Sequence, residues 1–381
     1  MLVLKLLFWL SLGALLWTHA VYPLGAPALA RVRTRRVRKE AIEPHVTVIV
    51  AAYNEEPVIE RRLENLLALD YPADRLDVVV TSDASTDRTH ELVERFGDRV
   101  GLIINPRGGK VAAQNRAVRE TGGEILAFSD ANATWAPDAL RQLVANFADP
   151  DVAYVCGRLV LEAADGSNQE GVYWRYELAQ REAESRLGSV TGGNGSIYAV
   201  RRSDYVEIAN DLISDLVEPL ALVRLGRRVV YEPEAVSVEE ASTSHTVEFR
   251  RKVRILTRSI KGLLHMRALL NPFRYGIFSF QLFAHKLLRY IVPVFLLSGL
   301  GSLIGLAAMR QYRGSFLIVT LTLAAATSVA RRMERRGSNP LVRACHLLYY
   351  YLLVNYALVP AWINIVRGTR MTLWVPERKE A

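Results

Sequence analysis

The stretch that most constrains the fold of this chain is residues 124–132, Glu-Ile-Leu-Ala-Phe-Ser-Asp-Ala-Asn. An apolar run of β-forming residues ends abruptly in Asp130, one spacer residue and Asn132. This pattern is typical of a buried strand that stops at Asp130. Two oxygen-bearing side chains two positions apart at the end of a strand can reach one hard cation, although a plain strand stop remains the alternative.

Three strand-and-loop units precede this stretch. The pattern predicts strands at 46–51, 76–80 and 100–104, polar loops at 53–56, 83–87 and 105–110, and helices at about 57–69, 88–96 and 110–121. Because such alternation predicts a parallel sheet with right-handed crossovers, we expect the loops to meet Asp130 at one edge of the sheet. The loops can also be explained without a ligand. Asp87 can be a turn or capping residue, and Gly108-Gly109 can be a simple turn, because a complete phosphate-binding pattern is missing.

The following region adds a strand at 152–155, a polar-aromatic helix at 171–188 and a strand at 196–200. Between the last two lies Thr191-Gly-Gly-Asn-Gly195, whose glycines let the backbone approach a ligand closely or simply make a flexible loop. Asp215 stands in a carboxylate-rich segment, where Ser214 or Asp215 can alternatively cap the next helix.

A basic helix is predicted at 246–269, where Arg251, Arg254 and Arg258 share one face. A row of guanidinium groups suits a diphosphate. It equally suits anionic lipid headgroups, and the two readings are compatible.

Long apolar segments lie near both ends of the chain. Residues 2–21 are long enough to span a bilayer, and the basic cluster at 31–39 that follows favours a retained anchor with a cytoplasmic basic side over a cleaved signal peptide. Three further spans are predicted at about 288–309, 314–330 and 345–366, after an aromatic stretch at 274–286 that can lie along the interface. If all three of these segments cross the bilayer, the basic C-terminal tail lies outside the cell. Its positive charge favours the cytoplasm instead, and the sequence leaves this conflict open.

The net charge of +9 comes mostly from clusters, and those at 31–39 and 331–336 lie beside apolar segments. This position favours a membrane surface over nucleic acid, and no zinc-finger spacing or interleaved aromatic pattern supports a nucleic-acid reading. Cys156 and Cys345 are far apart in apolar surroundings, so we interpret them as buried thiols, not as a disulfide or zinc site.

Taken together and in order, the motifs resemble the membrane-bound family 2 glycosyltransferases, relatives of cellulose, hyaluronan and poly-N-acetylglucosamine synthases. The resemblance runs from about residue 44 to 270. The motifs that carry it are Tyr53-Asn-Glu-Glu56, Asp83-Ala-Ser-Thr-Asp87, Gly108-Gly-Lys110, Asp130-Ala-Asn132, Gly192-Gly-Asn-Gly195, Ser214-Asp215 and Arg251-Lys-Val-Arg254. It implies an α/β GT-A fold with a mainly parallel sheet and transmembrane helices at both ends, a nucleotide-sugar donor, usually UDP-linked, and a divalent Mg²⁺ or Mn²⁺ ion.

The resemblance also implies roles for single residues. Asp215 matches the catalytic base, and Arg251 and Arg254 match a clamp on the donor diphosphate. The residues implied in holding the nucleotide sugar are Tyr53, Glu55, Asp83, Lys110 and Asp130. The metal would be held by Asp130 and Asn132, and the acceptor region is Gly193, Asn194 and Gly195.

Two departures from the family pattern qualify these roles. The metal motif of the family normally ends in Asp, whereas here it ends in Asn132, whose carboxamide oxygen lacks the charge. The synthases have Arg-Trp where this chain has Arg254-Ile255, which puts processive polymer synthesis in doubt and leaves single addition open.

We therefore expect an inverting glycosyltransferase that moves a sugar to a polysaccharide or glycan acceptor at a bacterial inner membrane. Transfer to a lipid acceptor is the alternative, and a non-catalytic membrane scaffold is a weaker one. The expected domains are an anchor at 1–30, a cytoplasmic catalytic domain at 31–245, basic and interfacial helices at 246–287, and about three spans at 288–381. The expected partners are the donor, the acceptor and the lipid bilayer, without nucleic acid.

Overall fold

The computed structural model describes residues 1–162, 172–240, 245–332 and 340–373. It divides into two compact units. The sheet unit comprises Pro23–Ser244, Lys261–Leu282 and Arg370–Ala381, and the apolar unit comprises Met1–Tyr22, His245–Ile260 and Phe283–Thr369. Most of the basic cluster predicted at 331–336, and the basic tail after residue 373, lie outside the described residues.

Eight strands form one mixed sheet in the order β3-β2-β1-β4-β7-β6-β8-β5. The strands are β1 Val46–Ala52, β2 Leu76–Ser82, β3 Gly101–Ile104, β4 Ile125–Asp130, β5 Thr134–Trp135, β6 Val152–Glu162, β7 Ile197–Arg201 and β8 Arg228–Glu240. Strands β1 to β4 run parallel, β7 is antiparallel to both β4 and β6, and β6 is parallel to β8. The first four strands confirm the predicted alternation.

The helices of the sheet unit connect the strands or follow them. They are α3 Ile59–Leu67, α4 Thr89–Glu94, α5 Lys110–Glu120, α6 Ala139–Ala145, α7 Val172–Leu187, α8 Ser214–Arg224, α10 Pro272–Tyr275 and α11 Ile277–Leu282. The apolar unit holds most of the other helices: α1 Leu2–Leu16, α12 Leu288–Ala308, α13 Arg313–Arg332 and α14 Pro340–Val366. Helices α2 Tyr22–Val32 and α9 His245–His265 are continuous through a boundary between the units.

The core lies between the sheet and its helices. Every residue of β1 is buried, as a strand covered on both faces requires. Val48 and Val50 belong to the same buried cluster as Leu63 and Leu66 of α3. Because both faces are covered, the accessible part of the parallel strands is the edge where they end, and the polar loops follow there.

Strand β8 is the largest element that the sequence reading did not anticipate. It is thirteen residues long, pairs with β6 in parallel and carries β5 on its other side. Strand β6 also extends to Glu162, well beyond the predicted 152–155. These strands bring chain segments far apart in sequence to the edge near Asp130.

The apolar unit contains helices long and apolar enough to cross a bilayer. Together with the adjoining segments, three candidate spans are described, Leu2–Val32, Ile277–Ala308 and Ala344–Val366, and a shorter apolar helix covers Arg313–Val329. Helices α1 and α12 are joined by a hydrogen bond of 2.7 Å between the hydroxyls of Ser11 and Ser298. The chain is therefore suited to membrane association.

Part of the basic cluster at 31–39 has a structural role that its position beside an apolar segment did not suggest. Arg35 pairs with Asp151 at 2.6 Å, and Lys39 pairs with the fully buried Glu232. These two charges are paired within the sheet unit. A membrane surface for the cluster as a whole stays a prediction.

Both cysteines are free thiols. Cys156 is buried, as predicted, whereas Cys345 is only partly buried.

Candidate active site

Three charged side chains meet around the backbone of Gly195. A Cβ built on this glycine would lie 3.5 Å from Nζ of Lys110, 3.8 Å from Oδ2 of Asp215 and 3.9 Å from Oδ2 of Asp130. Lys110 also forms an ion pair with Asp130. Residues from the end of β4, the start of α5 and the start of α8 thus reach one point, as the predicted convergence of strand-end loops requires.

Asp83 holds the loop that leads into α5. Its carboxylate is fully buried, accepts hydrogen bonds from the backbone N–H of Gly108 at 2.6 Å and Gly109 at 2.9 Å, and forms an ion pair with Arg107. The guanidinium of Arg107 lies 3.3 Å from the ring centroid of Tyr53. Asp83, predicted to hold the nucleotide, thus connects the Tyr53 loop to the Gly108-Gly109 loop.

The loops after β1 and β2 are interlocked by hydrogen bonds. Asn54 Oδ1 accepts a bond of 2.8 Å from the N–H of Thr86, and Glu55 is buried with its N–H bonded to Thr89 Oγ1 at 2.9 Å. Asp87 accepts bonds from the N–H of Thr89 at 3.0 Å and of Glu56 at 3.1 Å. The ordinary reading of Asp87 as a turn residue is thereby confirmed.

The glycine-rich loop is tied to the segment that carries Asp215. The N–H of Gly193 donates to the carbonyl oxygen of Asp215 at 2.5 Å, and the carbonyl of Gly193 accepts from Arg181 at 3.1 Å. Asn194 is buried, and its amide bonds Gly157 O at 3.3 Å and Ser196 N at 3.1 Å. In this loop Asn194 shapes the backbone, while Gly195 borders the charged cluster.

Asp215 lies in the first turn of α8, whose N-cap is Ile213 without a side-chain capping bond. The alternative that Ser214 or Asp215 caps this helix is therefore wrong. One turn further on, burial raises the pKa of Glu218 to about 8, against a hydrogen bond from the Tyr198 hydroxyl. A neutral Glu218 adds no second negative charge one turn away from Asp215.

Asn132 is held by a residue that sequence reasoning missed. Its amide nitrogen donates to Oε2 of Glu239, on β8, at 3.4 Å. Below them, the fully buried Arg62 donates to Ser129 Oγ at 2.8 Å, and its guanidinium interacts electrostatically with Asp130 and Glu239. Alternating valines in Val236-Ser-Val-Glu239 are a strand signal that could have located Glu239, whereas no local pattern marks Arg62.

Arg251 and Arg254 do not belong to the unit that holds these residues. They lie on the part of α9 that belongs to the apolar unit, and the predicted helix through them is confirmed. Their predicted role as a diphosphate clamp stays a prediction.

The chain after α14 returns to the site. Thr372 belongs to the sheet unit, and its carbonyl oxygen lies so close to Gly109 that a Cβ there would overlap it. Gly109 itself has φ 93° and ψ 163°, a conformation that only glycine adopts readily. The loop after β3 therefore carries a second chain segment at the edge of the site.

An ammonium group and two carboxylates at one backbone point can serve distinct chemical tasks. The ammonium of Lys110 suits an anionic ester, Asp130 suits a hard cation, and Asp215 suits a proton to be removed. Residues 47–208 match the family model "Glycosyl transferase family 2". This stretch is a family 2 glycosyltransferase domain.

Curated relatives agree with this family. The probable glycosyltransferase YdaM of Bacillus subtilis is 28% identical over 231 residues, 55% of this chain and 54% of that protein. The beta-monoglucosyldiacylglycerol synthase of Synechocystis sp. is 33% identical over 175 residues, 43% of this chain and 36% of that protein. The N-acetylglucosaminyltransferase of Sinorhizobium fredii is 26% identical over 330 residues, 80% of this chain and 78% of that protein. The chain spans about half or less of the length of the first two relatives.

Among solved structures, the mannosyltransferase PcManGT from Pyrobaculum calidifontis, in complex with GDP-Man and Mn²⁺, is similar over 96% of this chain and 100% of that one. The TM-score is 0.72 at 24% sequence identity, a likeness that concerns the fold. The predicted fold class is confirmed: an α/β domain of GT-A type with apolar helices toward both ends of the chain. The sheet is mixed, with its parallel part formed by β1 to β4 and by β6 and β8.

Proposed function

We propose that this chain is an inverting glycosyltransferase that moves a sugar from a nucleotide-sugar donor, UDP-linked, to a glycan acceptor at a membrane. The observation that carries the proposal is the meeting of Lys110, Asp130 and Asp215 around Gly195. Lys110, Asp130 and Gly195 lie in the stretch that matches family 2, and Asp215 follows shortly after it. Curated relatives that are glycosyltransferases support it.

Asp215 is the proposed general base. Its carboxylate removes the proton of an acceptor hydroxyl as that oxygen attacks the anomeric carbon of the donor. The hydrogen bond from Gly193 N–H to the Asp215 carbonyl holds the glycine loop against the base, so the acceptor can be aligned along that loop. A single base on the attacking side supports direct displacement, which inverts the anomeric configuration.

Lys110 is the proposed cationic partner of the departing diphosphate. Its ammonium is paired with Asp130 and is held at the first turn of α5, whose N-terminal dipole also favours negative charge. Arg107 and Tyr53 line the adjoining loop, where the nucleotide would lie.

The donor set near Asp130 fits a divalent cation, Mg²⁺ or Mn²⁺. Among the residues that the structure describes, no three His, Cys, Asp or Glu side chains form a complete cage. Such a cage is not needed, because these ions are commonly bound by one or two carboxylates and completed by water and substrate phosphates. Bound there by Asp130 and Asn132, the ion would stabilise the charge of the leaving diphosphate.

The decisive experiment replaces the base. We expect Asp215→Asn to fold normally and to lose at least about a hundredfold in transfer, the lower range for general-base catalysis, because the amide cannot accept the proton. The measurement is sugar transfer by purified protein from radiolabelled nucleotide sugars.

The matched control is Asp98→Asn, a change at an exposed turn of the sheet unit. It should transfer sugar at the rate of the unchanged protein. Near-normal turnover by folded Asp215→Asn would refute the role of this residue. The absence of transfer from every nucleotide sugar tested would favour the non-catalytic scaffold.

A membrane lipid is the second candidate acceptor, and a surface of the sheet unit favours it. In the segment 261–282, Phe273 is fully exposed, and Leu264 and Phe280 are each less than half exposed. Arg267 and Arg274 belong to the same segment, and apolar and basic groups together suit an interface with anionic lipid. The Synechocystis relative, named beta-monoglucosyldiacylglycerol synthase, agrees with this candidate.

Partition of the labelled product between organic and aqueous phases separates the two acceptors. Label in the organic phase means a lipid product, and label in an aqueous polymer or oligosaccharide means a glycan product. We place the sheet unit in the cytoplasm, where nucleotide sugars are made.

A further inference from the structure

The register of β8 brings Glu239 to the loop that follows β4. Strand β5 pairs antiparallel with β8 through Thr134 with Val238 and Trp135 with Ser237. The next residue on β8, Glu239, therefore lies beside the loop of Asp130 to Ala133. It is nearly buried, and it receives the hydrogen bond from Asn132 at 3.4 Å.

Arg62 links Glu239 to Asp130 electrostatically. Its side chain is fully buried, and burial lowers its pKa to about 9, against the attraction of Asp130 and Glu239. Asp130 and Glu239 are thus two carboxylates that interact with one guanidinium, and Asn132 is hydrogen-bonded to Glu239.

The motif Asp130-Ala-Asn132 carries one carboxylate, whereas a motif with Asp at both positions would carry two. Asn132 offers a neutral amide oxygen, whereas Mg²⁺ and Mn²⁺ prefer anionic oxygen ligands and commonly use one or two carboxylates in nucleotide sites. Asp130 alone supplies one negative charge from the motif. Glu239 is the carboxylate that the fold adds next to it.

We infer that Glu239 is the second carboxylate ligand of the divalent cation and replaces the charge that Asn132 lacks. In this arrangement Asn132 positions Glu239 through its amide nitrogen. The inference rests on the proposed function, because it deepens the metal site of that same reaction. It assigns metal binding to a strand that lies about a hundred residues beyond the Asp130 motif.

Mn²⁺ binding tests the inference without relying on catalysis. The purified full-length protein is titrated with Mn²⁺, with and without UDP, and free Mn²⁺ is followed by electron paramagnetic resonance. We expect Glu239→Gln to weaken Mn²⁺ affinity by at least about tenfold, the lower range seen even for outer-shell ligand partners. The neighbouring Glu240→Gln is the matched control, since Glu240 is exposed at the end of β8, and it should bind Mn²⁺ like the unchanged protein.

A compensating change separates a metal ligand from a structural partner of Arg62. If Glu239 supplies the missing charge, then adding Asn132→Asp to Glu239→Gln should restore Mn²⁺ affinity. If Glu239 only pairs with Arg62, adding Asn132→Asp would not restore the Mn²⁺ affinity. Should Glu239→Gln fail to fold, Glu239→Asp keeps a charge near Arg62 but shortens the side chain, and it should still weaken Mn²⁺ binding.

The inference is overturned if folded Glu239→Gln binds Mn²⁺ with unchanged affinity, or if the unchanged protein binds none. Sugar transfer by the unchanged protein is measured in parallel. If the unchanged protein transfers sugar and Glu239→Gln binds Mn²⁺ normally, Glu239 is not a metal ligand but the proposed glycosyltransferase function stands. Mn²⁺ binding that depends on Glu239, without transfer to any acceptor, refutes the function and leaves the ligand standing.

Discussion

The acidic side chains of this chain have different roles because their surroundings differ. Asp83 is fully buried and bonds to backbone N–H groups, while Asp87 shapes a turn. Asp130 pairs with Lys110 at the end of a strand, and Asp215 lies in the first turn of a helix beside a glycine loop. Residue type alone therefore identifies candidates, and the groups around each carboxylate decide its chemistry.

The buried Glu218 gives a prediction at this scale. Its pKa is about 8 in the folded chain, against an ordinary value of 4.5. The folded state therefore binds a proton that the unfolded state releases between these values, so this contribution to stability is full below pH 4.5 and is lost as the pH rises through about 8. The slope is at most about 1.4 kcal/mol per pH unit for one group.

We expect Glu218→Gln, which stays neutral, to gain stability relative to the unchanged protein as the pH rises from 5 to 8. Thermal unfolding of both proteins across this range is the measurement. The control Glu234→Gln, an exposed residue of β8, should show a small difference that does not change with pH. Parallel pH profiles for Glu218→Gln and the unchanged protein would contradict the prediction.

At the scale of elements, the loop between β3 and α5 is stabilised from two directions. The Asp83 carboxylate accepts the N–H groups of Gly108 and Gly109 from the sheet side, and the Thr372 carbonyl lies against Gly109 from the other. Because this loop leads directly into Lys110, its shape sets where the ammonium lies. The conformation of this short loop therefore depends on two segments distant in sequence, those of Asp83 and Thr372.

Gly109→Ala should lower the thermal stability and weaken UDP binding. The backbone conformation is nearly restricted to glycine, which costs on the order of 1–3 kcal/mol for another residue, and the added methyl would overlap the Thr372 carbonyl. Gly122→Ala is the control, because no atom lies within 4 Å of the added carbon and it should unfold at nearly the original temperature. An unchanged melting temperature and UDP affinity for Gly109→Ala would show that the loop tolerates a side chain.

At the scale of the molecule, the chain leaves the sheet unit and returns to it. Lys261–Leu282 precedes the C-terminal apolar helices, and Arg370–Leu373 follows them, yet both segments belong to the sheet unit. An even number of crossings must lie between two segments on the same side of a membrane. The expected three C-terminal spans stay a prediction, but this return favours two.

Helix α14 packs beside the basic helix α9 within the apolar unit. Tyr356 stacks on Phe249 and Asn364 bonds Thr257 Oγ1 at 3.3 Å, so α14 follows the basic helix α9 in the same direction. The two longer candidate spans of this region, Ile277–Ala308 and Ala344–Val366, would supply the two crossings.

Cysteine labelling tests this topology. In a background with Cys156→Ala and Cys345→Ala, Thr372→Cys should resist a membrane-impermeant maleimide in intact bacterial cells and react after permeabilisation. Gln311→Cys, in the turn between α12 and α13, should react in intact cells. Labelling of Thr372→Cys in intact cells would support three crossings and an outside tail.

The sequence by itself determined the first four strands, the helices between them and the meeting of their loops. Apolar runs of β-forming residues must be buried, and the handedness of the crossovers leaves one edge for the polar loops. These rules are local or follow from alternation, and they placed Lys110 and Asp130 at that edge in advance. The choice of Asp215 as the base was implied by the family resemblance.

Only the tertiary structure decided which residues complete that edge. Asn132 and Glu239 are 107 positions apart and meet because β5 and β8 pair, a choice of strand order that no local pattern carries. The same holds for the buried Arg62 beneath them and for the Thr372 carbonyl against Gly109. Long-range pairing depends on the free energy of the whole packed sheet, and it is this pairing that places a second carboxylate beside Asp130.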